Sequence, residues 1–320
     1  MKFLVTGGAG FIGSNFIRHM FSSHPGDEII NLDLLTYAGN PNNLKGIDKD
    51  PRYTFIKGDI CNSNLVNAIL ERHTIDAIVH FAAESHVDRS ITDPSAFVVT
   101  NVLGTHTLLH CARLHEIPRF IHISTDEVYG STSGESFRET DALSPSSPYS
   151  ASKAGSDLLA LSYYATYRFP VIVTRCTNNF GPYQFPEKLI PLFVTNLIDE
   201  KNVPVYGTGK NIRDWIHVSD HCRAVEFLLE HGTPGGIYNI GGGNEKTNLE
   251  ITEKILDLLK KDRSMIDYVP DRPGHDFRYS LDCSKLRALG WKPKFSFDEA
   301  LEETIEWYTR NEWWWRPLKT

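Results

Sequence analysis

The sequence has no apolar run near the ~18 residues a membrane helix needs, which argues against a membrane partner. It has no basic excess either. Its 33 Lys and Arg face 40 Asp and Glu, a formal charge of −7, so its global field does not favour nucleic acid. Any anionic ligand must be met by a local basic cluster. Cysteine is scarce and unpatterned: Cys61, Cys111, Cys176, Cys222 and Cys283 are odd in number, scattered and never spaced C-x-x-C. That excludes a disulfide framework and a zinc site as readings, leaves no metal expected, and suits a reducing compartment. Phe3-Leu4-Val5-Thr6 is too short for a signal-peptide core before glycines interrupt it. A soluble, cytoplasmic protein is expected. What is present is an apolar share of 41% over 320 residues, enough for about two packed domains.

The first 175 residues alternate between short β-branched runs and helical stretches. Strands are expected at Phe3–Thr6, Glu28–Leu32, Tyr53–Lys57, Ala77–Phe81, Phe120–Ser124 and Val171–Arg175. Helices are expected at Phe11–Phe21, Asn64–Arg72, Val102–Leu114 and Ser150–Tyr167. This alternation predicts an α/β fold, a doubly wound parallel sheet covered on both faces. After about residue 180 Pro and Gly cluster and the strands shorten. Helices Leu249–Lys260 and Glu299–Arg310 follow the N-cap candidates Asn248 and Asp298. The expected division is a cofactor domain over 1–180 and a smaller C-terminal α/β substrate lobe over 181–320. Trp313-Trp314-Trp315 reads as packing.

Gly7, Gly10 and Gly13 follow the first strand and open a helix. Glycines so placed allow a tight turn, close approach of backbone to phosphate, and close helix–strand packing. The helix N-terminus then offers free N–H groups to a pyrophosphate. Asp33, 26 residues after Gly7 at the end of the second strand, can bond ribose hydroxyls and would repel a 2′-phosphate. NAD is therefore favoured over NADP. Asp59, after the third strand, is a natural partner for the adenine amino group, and small Ala82 and Ala83 after the fourth let backbone approach the cofactor.

Tyr149 and Lys153 are spaced four apart at the start of a helix, hence on one face. A lysine beside a phenol, together with a cationic nicotinamide, is expected to lower the phenol's pKa so that it can take a hydroxyl proton. Tyr53/Lys57 and Tyr206/Lys210 share the spacing, but the first falls on a strand and the second in a glycine-rich turn. Thr125-Asp126-Glu127 follows the strand ending at Ser124. Neighbours within a strand point to opposite faces, so both carboxylates can serve one site only if the strand has ended. If they converge, repulsion keeps one protonated and supplies an acid and a base together. A solvated loop pair is the other reading.

With these residues the chain resembles an extended short-chain dehydrogenase/reductase with a Rossmann-type fold. Ser124-Thr125-Asp126-Glu127-Val128-Tyr129-Gly130 resembles the nucleotide-sugar 4,6-dehydratases, as do Ala83–Ser90, Asn178–Gln184, Arg213-Asp214-Trp215 and Asp271–Asp276. Together they look like the dTDP-glucose 4,6-dehydratase family, from residue 1 to about 310; a UDP-glucose 4,6-dehydratase, and an epimerase or decarboxylase on the same scaffold, are the alternatives. The resemblance implies a lyase acting on a nucleotide-sugar in deoxysugar synthesis, as a homodimer paired through Val102–Leu114 and Ser150–Tyr167. It implies catalysis by Thr125, Asp126, Glu127, Tyr149 and Lys153. Cofactor contacts are implied at Gly7, Gly10, Phe11, Ile12, Gly13, Asp33, Thr36, Asp59, Ile60, Phe81, Ala82, Ala83, Ser85, Thr100, Tyr149, Lys153 and Asn179. Substrate contacts are implied at Ser85, Thr125, Asn178, Lys188, Leu189, Pro204, Tyr206, Arg213, Asn248, Arg272 and His275, with Tyr206 stacked on the base.

Overall fold

Runs such as Phe3-Leu4-Val5 and Ala77-Ile78-Val79 have no polar alternation, as strands covered on both faces require. In the computed structural model, which describes residues 1–271 and 274–319, both runs lie in interior strands of a parallel sheet. The strands are β1 (Lys2–Thr6), β2 (Glu28–Asp33), β3 (Tyr53–Lys57), β4 (Ala77–His80), β5 (Phe120–Thr125), β6 (Val171–Cys176), β7 (Asn178–Phe180), β8 (Val203–Tyr206), β9 (Ile212–His217), β10 (Ile237–Ile240), β11 (Glu245–Thr247) and β12 (Ile266–Val269). Seven form one sheet in the order β10-β6-β5-β4-β1-β2-β3, all pairs parallel. Chain order reverses between β1 and β4, which opens a crevice at their carboxyl ends. The first six strands match the sequence expectation to within one residue at either end.

Helices cover both faces of this sheet. On one, Phe16, Ile17 and Met20 of the Phe11–Ser23 helix meet Val225 and Leu228 of the Val218–His231 helix. On the other, Val66 and Ile69 pack with Leu108, Leu109 and Tyr163. The smaller lobe has its own core, in which Phe180 and Trp215 meet Leu301, Trp314 and Trp315. It carries a three-stranded sheet, β11-β9-β7, and the pair β12-β8. The two lobes interleave along the chain. The Val218–His231 helix and β10 lie beyond residue 180, yet both belong to the large sheet layer. No helix among the described residues is long and apolar enough to cross a membrane.

Two local expectations need correction. The helix expected at Val102–Leu114 starts earlier: a π-helical turn, Val98–Gly104, runs into a regular helix at Thr105–Leu114. The late helices begin at Asn248 and Phe297, and their caps are Thr247 and Ser296 instead of Asn248 and Asp298. Each cap oxygen accepts from the N–H three residues on, and Glu250 or Glu299 bonds back to the cap's own N–H. This reciprocal bonding satisfies two orphan donors and outcompetes a carboxamide placed one residue, or a carboxylate two residues, too late. The tryptophan run divides: Trp314 and Trp315 are buried, whereas Trp313 is half exposed under Lys45.

Candidate active site

The crevice holds a cleft of about 1300 Å³, its open mouth included. Its floor is the loop after β1. Gly7 has φ +71°, and a Cβ there would stand 2.5 Å from the Ala82 nitrogen. A Cβ on Gly13 would stand 2.4 Å from the Gly7 carbonyl oxygen. Side chains are excluded, so backbone forms the cradle. Gly10 caps the Phe11–Ser23 helix without a side-chain bond, and Phe11 and Ile12 bring the first turn to the cleft. The unpaired N–H groups of that turn suit a pyrophosphate.

Asp33 ends β2 in the cleft wall. Its Oδ2 accepts from Ala9 N at 2.9 Å and its Oδ1 from Leu35 N at 2.8 Å. Burial raises its carboxyl above the ordinary range, and those two bonds oppose the rise. A carboxylate has about four acceptor positions, so hydroxyls can still be bonded. The acid therefore also braces the glycine loop, a role its spacing did not reveal. Thr36, Asp59, Ile60, Phe81, Ala82, Ala83, Ser85 and Thr100 line the same cleft, as do Tyr149, Lys153 and Lys188. A glycine cradle, a helix N-terminus, and an acid with spare lone pairs fit an adenine dinucleotide. Asn179 stands apart: its amide nitrogen donates to the Thr177 carbonyl at 3.0 Å, and its oxygen pairs with His221 Nδ1 at 2.9 Å.

The Pro148–Tyr167 helix delivers the next groups. Pro148 occupies its first position, and Ser147 and Ser150 form a reciprocal cap, so the helix starts sharply enough to place Tyr149 and Lys153 one turn apart. Lys153 Nζ donates to the Ile123 carbonyl at 2.7 Å, and burial lowers its pKa to about 8. The expected lowering of the phenol is not produced by these side chains. Burial first, then the charge of Glu127, push the Tyr149 phenol above its ordinary value, and a hydrogen bond with Thr125 opposes this only in part. The Lys153 ammonium is bonded to the Ile123 carbonyl and is not among the main influences on the phenol.

Strand β5 ends at Thr125, and the chain turns at once into a single 3₁₀ turn, Asp126–Tyr129. The alternation that would separate neighbouring carboxylates has therefore ceased. Asp126 is buried, with Thr125 Oγ1 donating to its Oδ1 at 3.2 Å. Burial, then repulsion from Glu127, raise its carboxyl well above the ordinary range, and Arg213 only partly opposes them. Glu127 is less buried, its N–H donates to Thr125 Oγ1 at 3.3 Å, and its charge reaches Tyr149. The arrangement thus brings together a buried carboxyl whose protonated form is favoured, a neighbouring carboxyl group and a phenol.

The residues expected to hold substrate lie mainly on the smaller lobe. Asn178 in β7 pairs with Trp215 of β9. Arg213, also in β9, is buried with its charge acting on Asp126, donates to the Ile212 and Asp276 carbonyls at 2.7 and 2.9 Å, and lies over Tyr279. Tyr206 is half exposed at the end of β8, two residues after Pro204, with its ring edge-on to His275. Leu189 and Asn248 are the first residues of their helices. Arg272 lies outside the described residues. Lys188 Nζ reaches the Ser85 carbonyl at 3.3 Å, joining the two lobes at the cleft. The sequence reading missed Tyr37 and Glu187 beside it. Tyr37 donates to Glu187 at 3.0 Å across the cleft mouth, under the Arg89 guanidinium. Neither residue sits in a periodic element, and only the Asn178–Gln184 motif just upstream hinted at Glu187.

Relatives share this architecture throughout. The family model described as GDP-mannose 4,6 dehydratase matches residues 4–304. A dTDP-glucose 4,6-dehydratase of Streptomyces niveus is 53% identical over 100% of this chain and 96% of its own length. The crystal structure of DesIV, a dTDP-glucose 4,6-dehydratase from Streptomyces venezuelae solved with NAD bound, is 55% identical, superposes with a TM-score of 0.97 and covers 100% of both chains. A UDP-glucose 4-epimerase of Thermotoga maritima is more distant, at 28% identity and a TM-score of 0.91, covering 98% of this chain and 100% of its own. With one residue in two shared across the full length, the chain belongs to the dTDP-glucose 4,6-dehydratase family, within the nucleotide-sugar dehydratases of the extended short-chain dehydrogenase/reductase fold.

Proposed function

We propose that the protein is an NAD-dependent lyase that converts dTDP-glucose to dTDP-4-keto-6-deoxyglucose. The observation that carries this reading is the pair Asp126–Glu127, one carboxyl buried and raised well above its ordinary range by burial and its neighbour, beside Tyr149. An epimerase needs the tyrosine and lysine but has no use for an acid and a base at C5 and C6. When bound, NAD⁺ supplies a hydride acceptor for oxidation at C4 and returns the hydride at C6. Tyr149 takes the C4 hydroxyl proton, Thr125 bonds that oxygen, and Lys153 holds positive charge nearby. The C4 ketone acidifies C5–H. Glu127 removes that proton, Asp126 protonates the C6 hydroxyl as it leaves as water, and Glu127 later returns a proton to C5.

Gly7, Gly10 and Gly13 with the first helical turn would hold the pyrophosphate, Asp33 the ribose hydroxyls, and Asp59 the adenine side. Asn178, Lys188, Arg213, Asn248 and His275 would hold the nucleotide diphosphate, and Tyr206 the base. Residues 1–180 would thus supply most of the cofactor site and 181–320 most of the substrate site. A homodimer is part of the same reading, supported by Val98, Val99, Leu103, Leu158 and Tyr167, all exposed on the helices that would pair. Incubation with dTDP-, UDP- and CDP-glucose, followed by alkali-induced 4-ketosugar absorbance, tests the reaction. Product from dTDP-glucose is expected. Product only from another nucleotide-glucose would replace the substrate, and none from any would end the dehydratase reading.

A further inference from the structure

A buried polar chain runs beneath the site, and none of the steps above uses it. Asp157 lies one turn beyond Lys153 on the Pro148–Tyr167 helix and is fully buried. Its Oδ2 accepts from Arg175 Nε at 2.9 Å, and its Oδ1 lies 3.3 Å from His122 Nε2. Arg175, from β6, is 2% exposed, and its Nη1 donates to the Tyr129 hydroxyl at 2.7 Å. That hydroxyl donates in turn to Asn239 Oδ1 at 3.0 Å, and the Tyr129 ring stacks on Phe137. Tyr129 closes the 3₁₀ turn that carries Asp126 and Glu127. One guanidinium therefore links the helix bearing Tyr149 and Lys153 to the turn bearing the two carboxyls.

Stability alone does not account for this arrangement. Taking two ions out of water costs several kcal/mol each, and apolar replacements of equal volume are often no less stable. Burial pushes Asp157 up, yet His122 and Arg175 outweigh it and hold its carboxyl below the ordinary range, so the pair is charged. What an arginine supplies that a hydrocarbon cannot is a rigid fork that sets the distance and angle between two partners. The elimination has to align Glu127 and Asp126 with the sugar carbons that Tyr149 anchors through C4, and a ~1 Å misplacement can cost ~10²-fold in rate.

We propose that Arg175 is a positioning residue for the elimination, setting through Asp157 and Tyr129 the spacing between Tyr149 and the Asp126–Glu127 pair. The inference rests on the dehydratase reading. Tyr129→Phe tests it, because the ring and its stacking on Phe137 stay while the hydroxyl shared by Arg175 and Asn239 is lost. Arg175→Lys is the second variant, keeping charge on Asp157 but losing the two-headed reach. Deuterium uptake at C5 from D₂O and kcat should fall roughly 10- to 100-fold in both, while KM and single-turnover oxidation at C4 stay within about threefold. Equal losses in oxidation and C5 exchange, or a lower melting temperature with both steps intact, would overturn the proposal. Should the unmutated protein form no 4-ketosugar, the dehydratase reading would fall and this inference with it, an outcome distinct from any seen only in the variants.

Discussion

A carboxyl group buried beside a second carboxyl keeps its proton, and at Asp126 burial and Glu127 act in the same direction. Its partner Glu127 is less buried and takes the role of base in the proposed reaction, so the two variants should fail differently. In Glu127→Gln, oxidation at C4 should persist while deuterium uptake at C5 stops. In Asp126→Asn, loss of the acid should slow elimination by ~10²–10⁴-fold, and a 6-fluoro substrate, whose leaving group needs less protonation, should restore most of that rate. Equal rescue of both variants by fluorine would reverse the assignment. Lys153 gives a prediction on stability. Its pKa of about 8 lies below the ordinary lysine value of 10.5, so between these pH values the unfolded chain binds a proton that the folded protein has released. Lys153 should therefore contribute stability that is present above pH 10.5 and lost as pH falls through about 8. Denaturant unfolding of native protein and Lys153→Met across that window checks this: the native curve should gain on the variant as pH rises, and parallel curves would count against a depressed lysine. The Tyr149–Lys153 pair was legible in the sequence because helical spacing alone places both on one face. The state of the phenol was not, because burial and Glu127 come from other parts of the chain.

At the scale of elements, termini decide where functional groups stand. The Pro148–Tyr167 helix opens on a proline and a serine box, and β5 stops one residue before Asp126. The late helices show how such ends are read. Thr247-x-x-Glu250 and Ser296-x-x-Glu299 are capping-box patterns visible in the sequence, and they mark the true starts better than Asn248 or Asp298. Thr247→Ala should cost about 1 kcal/mol in urea unfolding, with little effect on cofactor binding, because the cap lies in the smaller lobe. Asn248→Ala, by contrast, removes no cap and should leave stability within about 0.5 kcal/mol. The π-helical turn at Val98–Gly104 gave no warning of its presence. Its register is set by tertiary bonds: Asn101 accepts from Glu84 N at 2.8 Å and donates to Ser152 Oγ at 2.8 Å, tying the loop after β4 to the Pro148–Tyr167 helix.

For the whole molecule, several exposed apolar side chains fall on the Val98–Gly104 and Pro148–Tyr167 segments. Single exposed apolar residues are ordinary, but Val98, Val99, Leu103, Leu158 and Tyr167 fall on segments that pack together, and in the proposed dimer they would be covered by the partner. Sedimentation should show a dimer for the native protein, and Leu103→Glu with Leu158→Glu should yield a monomer. A native monomer at micromolar concentration would remove the dimer from the proposal. The lobes also depend on each other, since the Val218–His231 helix and β10 return to the large sheet after the smaller lobe has begun. A fragment ending at residue 180 would lose an edge strand and the helix that covers Phe16 and Ile17.

The sequence by itself determined the parallel sheet, the glycine cradle with its acid, and the tyrosine–lysine pair. Each is a local pattern: unbroken apolar runs, glycines where a Cβ has no room, and residues one helical turn apart. Tertiary structure alone decided the rest. At Asp126 burial and the charge of Glu127 raise the carboxyl, against the pull of Arg213, which arrives from β9, 87 positions further along the chain. Asn179 faces His221 instead of the cleft, and Tyr37 meets Glu187, 150 positions away in sequence. Arg175 reaches both Asp157 and Tyr129 because β6 lies beside β5, which leads into the turn carrying Tyr129, and packs against the helix carrying Asp157. Spacing along a chain fixes which residues share an element, whereas burial, charge and the meeting of distant elements exist only once the chain has folded.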